Sequence, residues 1–453
     1  LVEVLTLETP ELGDRSYLIH DGRQAIVVDP QRDTDWILNM AQSAGVAITC
    51  IAETHIHNDY VSGGWALAKR LGARYLVAAA DEVGFQRHPV SEGDRVEVGS
   101  MTVQVLATPG HTPTHLSFLV CQELAPRAVF SGGSLLYGSV GRTDLVSPGM
   151  TVELAHAQHR SARRLAGLPE ELDLYPTHGF GSFCAAGPTS PREPAHTIRA
   201  QRETSPAMTD EAEFVSTLLA GYSLYPSYYV HMGPLNLAGA EEPDLSPPAE
   251  VGIDQIRSRI EAGDWVLDLR DRTQFGPSHV TGSVNFPTGD QLATYLGWVV
   301  PWEAPLTLVG SGRKDVSRAC RDLARIGVDR LAGWCPAPLE ELQDALGKSA
   351  YLVTDFAGLA EALRSDDVEV LDARRPDEWR ERHIKNAINI HLPDLLDRLE
   401  ELPDKPIWVH CAAGYRASIA ASLLDRAGRE VVLVDDSIER FDDLDLELVS
   451  GAD

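Results

Sequence analysis

From Leu1 to about Tyr175, short runs of β-branched residues alternate with turn clusters and with apolar residues spaced three and four apart. AIVVDP at 25–30 and TCIAET at 49–54 have the length and branching of buried strands. DWILNMAQSAG at 35–45 gathers its apolar positions on one helical face and ends on glycine. The alternation predicts an α/β domain. Helical periodicity returns near 208–220, and an aromatic run, YSLYPSYYVHMGP, follows at 222–234. AGAEEPDLSPPAE at 238–250 is acidic and proline-rich with no apolar period, which predicts a domain boundary.

Beyond that boundary the chain repeats itself. A helix and a strand ending in VLDLRD (to Arg270) match a helix and a strand ending in VLDARR. HVTGSVNFP at 279–287 matches HIKNAINIH at 383–391, and LTLVGSGRKDVSRACRDLARIG at 306–327 matches IWVHCAAGYRASIAASLLDRAG at 407–428. A period of about 100 residues means tandem domains rather than a solenoid. The expected organisation is therefore three α/β domains, at 1–237, 251–336 and 351–453.

Composition narrows the function classes. A formal net charge of -28 opposes phosphate backbones and anionic membrane surfaces, so neither nucleic acid nor membrane is an expected partner. No apolar stretch approaches the ~18 residues of a membrane span. Leu1 to His20 carries four acidic residues and no basic head before an apolar core, unlike a secretory signal. Six scattered cysteines without a CxxC pair suit free thiols in a reducing compartment. The expected location is cytoplasmic.

One of those cysteines stands in a chemical context. The strand IWVH at 407–410 stops at Cys411, the loop CAAGYR follows, and a helix is expected to begin near Ala417. Backbone N–H groups of Ala412, Ala413, Gly414 and Tyr415, with a helix N-terminus behind them, would favour a thiolate and cradle an anion. Gly414 lets the loop curl, and Arg416 adds a fixed cation. The VLDARRPDEW, HIKNAINIH and CAAGYRAS segments, in that order, resemble the rhodanese family over about 100 residues, the last being similar to its Cys-x-x-Gly-x-Arg loop. The resemblance implies a sulfurtransferase of the thiosulfate or persulfide type, with Cys411 as the persulfide-forming nucleophile. Asp372 and Arg374 are expected to form a structural ion pair. In the first copy Gly310 falls at the position of Cys411 and Asp315 at that of Arg416, so this copy is expected to be silent, a spacer or docking surface, with Cys320 packed in its core.

In ETHIHNDYVSGG at 53–64, His55 and His57 point the same way in extended geometry, with Asp59 on that side. His111, in ATPGHTPTH, and His178, in YPTHGFGS, each follow an expected strand, so the four histidines are candidate metal ligands together with Asp59. Residues 1 to about 235 resemble the metallo-β-lactamase fold, and GRTDL, with Arg142 and Asp144, resembles a segment of its persulfide dioxygenases. That likeness implies an αββα sandwich, one iron or zinc ion, and Arg142 at the substrate. Two departures stand out: Tyr60 replaces the last histidine of the His-x-His-x-Asp-His signature, and Gly133, in FSGGSLL, replaces a metal-binding aspartate. Three readings follow. The first couples persulfide oxidation to sulfur transfer at Cys411. In the second the N-terminal domain is a degenerate module presenting a thiol carrier, and in the third a thioester hydrolase of the glyoxalase II type. Expected partners are small thiols and persulfides, glutathione or another low-molecular-weight thiol. A homo-oligomer is a further expectation, with the aromatic run at 222–230 as its candidate surface, although a core role for that run is an equal expectation.

Overall fold

The computed structural model describes residues 2–179, 181–187, 196–289, 291–310, 312–364 and 368–451. Two compact units are formed, Leu1–Asp244 with Ala324–Gly327, and Leu245–Leu323 with Val328–Asp453.

The first unit is built on two sheets. Strands Glu3–Thr9, Asp14–His20, Gln24–Val28, Ala47–Ala52, Arg74–Ala78 and His88–Val90 lie side by side in chain order. Pairing is antiparallel up to Gln24–Val28 and parallel thereafter, because helices Asp35–Ala44 and Gly64–Leu71 carry the chain back over the sheet. The second sheet is a meander of Arg95–Val98, Met101–Ala107, Leu116–Gln122 and Ala125–Gly132. Helix Thr151–Ala166 then leads to Asp173–Pro176, which joins parallel to Ala125–Gly132.

Side-chain alternation decides how these layers stack. Ile26 and Val28 enter a core shared with Val103, Phe118 and Phe130 of the other sheet, while Val27 between them packs with Ile37 and Leu67 of the helices. On the far side Val129 and Leu174 pack with Ala155, Leu165 and Phe214. The result is the expected αββα sandwich. His55, His57 and Asp59 follow one strand, and Asp29, His111, Gly133 and His178 each follow another. The aromatic run is divided between interior and surface. Tyr228 and Tyr229 are buried, although Leu224 and Val230 remain exposed.

In the second unit the repeat is visible as two parallel sheets. One has the order Val284–Asn285, Trp265–Asp268, Leu306–Val309, Leu331–Trp334. The other has the matching order Ile388–Asn389, Glu369–Asp372, Ile407–His410, Val431–Val434, and adds Leu352–Thr354 at the edge. Individual bonds repeat as well. The Asn285 amide donates to the carbonyls of Asp268 (3.2 Å) and Arg270 (3.0 Å), and the Asn389 amide to those of Asp372 and Arg374 (3.0 Å each). Arg270 pairs with Asp268 (2.7 Å) as Arg374 does with Asp372 (2.6 Å), which is the structural ion pair expected there. These bonds hold the turn after each second strand, where buried backbone groups would otherwise be unpaired. Among the described residues no helix is long and apolar enough to cross a membrane.

Candidate functional site

In the first unit the strand ends bring four buried histidines together, and hydrogen bonds decide which nitrogen of each is free. The Thr54 hydroxyl has one proton, given to Asp29 Oδ2 at 2.7 Å, so it accepts from His55 Nδ1 at 2.9 Å. His57 Nε2 donates to Glu53 (3.1 Å), and His111 Nδ1 donates to the carbonyl of Arg142 (2.7 Å). His55 Nε2 and His111 Nε2 therefore keep their lone pairs, the first facing His178 Nε2 at 3.4 Å. Burial opposes a charge on His57, but Asp29 and Glu53 outweigh it and raise its pKa to about 10, so its Nδ1 holds a proton that a metal would have to displace. His57 Nδ1 and His111 Nε2 are buried without a hydrogen-bond partner. Burial, reinforced by the neighbouring imidazoles, pushes the pKa values of His55 and His111 well below the ordinary range, so both are neutral and ready to ligate. Such orphaned nitrogens, each with its opposite nitrogen anchored, fit a transition metal. Asp29, the anchor behind Thr54, sits at φ +50°, a left-handed conformation that a non-glycine residue holds only where its surroundings impose it.

The expected ligands do not all meet at one point. Ligand atoms of His55, His57 and His178 lie within 4.8 Å of one another, as do those of His111, His178 and Cys184, so His178 is common to both groups. Asp59, expected beside His55 and His57, instead faces His178 (3.2 Å), whose same nitrogen lies 2.8 Å from Asp14. The segment is a bent loop rather than an extended strand, which turns Asp59 away. Burial opposes a charge on His178, but Asp59 and Asp14 outweigh it and raise its pKa to about 10. Tyr60 supplies no ligand oxygen either: its hydroxyl lies 3.0 Å from the anchored His57 Nε2 and 3.3 Å from the Asp29 carbonyl.

Gly133 is held on both sides. Its N–H donates to His115 Nε2 (2.9 Å), and its carbonyl accepts from Gln158 (3.1 Å). The His111 ring covers its Cα so closely that a Cβ there would overlap the ring. Arg142, expected at the substrate, is buried and committed elsewhere. It forms a two-bond pair with Asp144 (2.7 Å each), donates to the Phe183 and Ser223 carbonyls, and lies over the rings of Tyr222 and Tyr225. Its part in the site is its carbonyl, which orients His111. Sequence reading missed Asp14, Asp29, Glu53, His115 and Cys184. The position of Asp29 at a strand end and of His115 four residues after His111 were the available signals.

In the second unit Cys411 is buried immediately beyond Ile407–His410. The Gly414 N–H donates to its Sγ at 3.2 Å, and the helix starts at Tyr415, two residues earlier than expected, running to Arg426. Gly414 has φ +88°, and an Asp435 carboxylate oxygen fills the space where a Cβ would lie, so any other residue there would be strained and would displace Asp435. Arg416 is not a free cation: it is buried in a two-bond pair with Glu378 at 2.5 and 2.8 Å.

Residues of the first copy pack against this loop. Arg272 donates to Asp435 (2.6 Å) and reaches the Ala413 carbonyl (3.5 Å), and Tyr415 donates to the Pro287 carbonyl (2.9 Å). Tyr295 lies 5.7 Å from the Tyr415 ring. The Ala412 carbonyl accepts from Ile438 N–H (3.0 Å). At the end of its own strand Gly310 has φ +76°, and Asp268 occupies its Cβ position. The first copy has thus lost the space for a cysteine as well as the cysteine itself. Cys320 is buried, as expected.

Burial raises the Glu378 pKa, but Arg416 overcomes this and brings it from 4.5 to about 2. A depressed carboxyl pKa contributes stability above its unfolded value, and that contribution disappears as pH falls through the folded value. Glu378→Gln is expected to flatten the dependence of stability on pH between about 4.5 and 2. Urea unfolding across that interval measures it, and an unchanged slope would contradict the pair's role.

Two family models match separate stretches of the chain. A model described as the metallo-beta-lactamase superfamily matches residues 11–178, and one described as a rhodanese-like domain matches 355–444. A hydroxyacylglutathione hydrolase of Pseudomonas entomophila is 31% identical over 166 residues, 36% of this chain and 61% of that protein. The chain thus spans less than two thirds of that relative. The mitochondrial persulfide dioxygenase of Homo sapiens is 25% identical over 242 residues, 53% of this chain and 81% of that protein. A crystal structure described as a metallo-beta-lactamase from Staphylococcus aureus covers 74% of this chain and 98% of its own, at 28% identity and a TM-score of 0.64. The chain joins a domain of the metallo-beta-lactamase superfamily, related to persulfide dioxygenase and glyoxalase II, to a rhodanese-like domain.

Proposed function

We propose that the chain is a sulfur-handling enzyme in which Cys411 carries sulfane sulfur as a persulfide from a thiosulfate or persulfide donor to a small acceptor thiol. The observation that carries this is the Gly414 N–H on Cys411 Sγ at the N-terminus of a 12-residue helix. The helix end and the N–H stabilise negative charge on sulfur. The Cys411 thiolate attacks the outer sulfur of the donor, whose sulfur–sulfur bond breaks and whose remainder leaves with the bonding electrons. An acceptor thiolate then attacks the outer sulfur of the Cys411 persulfide and releases the Cys411 thiolate. Mass spectrometry after incubation with a sulfane-sulfur donor should find one added sulfur on Cys411 and none on Cys320. Stable labelling of Cys320 would overturn the assignment of a silent first copy.

For the N-terminal domain we favour a persulfide dioxygenase-like role on a thiol-bound substrate. His55, His57 and His111 would hold one iron or zinc ion, which requires His111 to join the His55 and His57 group from the one it now shares with His178 and Cys184; when bound the ion would supply Lewis-acid and, for iron, redox chemistry. The chain itself orients the three rings through Thr54, Glu53 and the Arg142 carbonyl and excludes water by burial. One observation favours the alternative of a carrier-binding module: Gly133 offers no carboxylate beside His111.

A further inference from the structure

Beside the buried histidines the first unit has an open cavity of about 760 Å³, a volume suited to a small molecule. Its walls carry the residues that separate the site residues in sequence. Ile56 lies between His55 and His57, Asn58 between His57 and Asp59, and Thr112 directly after His111. The remaining wall is mainly apolar, and at its mouth Val146 and Val230 stay exposed, Val230 by 69%. Among the described lining residues there is no Lys, Arg or His, and the ionisable carboxylates are Asp81 and Asp144. Asp144 is neutralised by Arg142 (2.7 Å). Asp81 is only 9% exposed and its Oδ2 has no hydrogen-bond partner. Arg87 donates to the Asp81 backbone carbonyl (2.7 Å), not to its carboxylate.

We propose that this cavity takes a low-molecular-weight thiol or persulfide that has no acidic group and offers an amine or amide N–H, in preference to a carboxylate-bearing thiol such as glutathione. This rests on the reading of the N-terminal domain as thiol-processing and narrows its substrate. A carboxylate entering the cavity loses water without gaining a cation, and it meets the field of Asp81. The net charge of -28 also depletes anions around the protein. An N–H donor, by contrast, gives the Asp81 carboxylate, which accepts from the Thr114 side chain but leaves Oδ2 unpaired, a further partner, while the apolar wall accommodates a carbon chain.

Calorimetric titration of the full chain with pantetheine, which is uncharged, and with glutathione tests this without any need for turnover. Pantetheine should bind at least about tenfold more tightly, a gap that one buried carboxylate with an unpaired oxygen in a partly closed site supports. Because Asp81 is buried, the accompanying variant is placed at the exposed mouth. Val230→Lys should strengthen glutathione binding by about threefold, as expected for one added exposed cation, and leave pantetheine unchanged. Glutathione binding as tight as pantetheine, or no response of glutathione to Val230→Lys, would overturn the proposed substrate class and leave the thiol-site reading standing. Failure of every thiol to bind would overturn both.

Discussion

Cys411→Ser is expected to abolish sulfur transfer, lowering the rate by about 10³-fold or more while leaving the fold intact. The fold should survive because Ser is smaller than Cys and its hydroxyl can accept the Gly414 N–H that the sulfur now receives. The chemistry cannot survive. Serine is not ionised at neutral pH, and oxygen does not form a stable perthio analogue that an acceptor thiol could attack. The measurement is steady-state transfer from thiosulfate or a persulfide to a thiol, paired with circular dichroism and urea unfolding. Wild-type rates in a folded Cys411→Ser protein would remove the central assignment.

The second large effect concerns the histidine site. Purified protein is expected to contain at most one iron or zinc ion per chain, and His55→Ala or His111→Ala should remove it, since each deletes one of the three imidazole ligands. Gly133→Asp is the informative substitution. Sequence comparison alone suggests that it restores a missing ligand. The structure leads to the opposite expectation, because the His111 ring occupies the space a Cβ needs and both backbone groups of Gly133 are bonded in place. Overpacking of this kind costs about 1–3 kcal/mol, which corresponds to a thermal midpoint lower by roughly 2–10 °C. Metal content should fall or stay level as His111 is displaced. Metal analysis by mass spectrometry and a thermal scan decide the matter together. A rise in iron occupancy with no loss of stability would show that His111 moves aside freely and that the carboxylate is the sole missing element.

The sequence by itself determined the architecture. Its strand-length apolar runs and helical spacings set an α/β domain, because alternation along each strand assigns every second side chain to one core, and the resemblance to the metallo-β-lactamase fold supplied the αββα order of its layers. Two aligned copies of the Asp-x-Arg and Asn positions set the tandem parallel sheets, because those residues pair the same buried carbonyls in each copy. The loop around Cys411 was legible too, since a nucleophile, a glycine and an arginine at fixed spacing after a strand are local features. The tertiary structure alone decided the partners. Arg416 is the fixed cation its spacing suggested, but the structure pairs it with Glu378, 38 positions away. Arg142 is spent on Asp144 and two distant carbonyls, and Asp59 turns to Asp14 and His178. Gly133 looked like a ligand simply deleted from the site, as Tyr60 did for a histidine, yet its place is taken by an imidazole from another strand end. The reason is common to all four. A charge or a vacancy in a buried site is satisfied by whatever group the fold brings within about 3 Å, and that proximity is set by packing between strands far apart in the chain rather than by spacing along it.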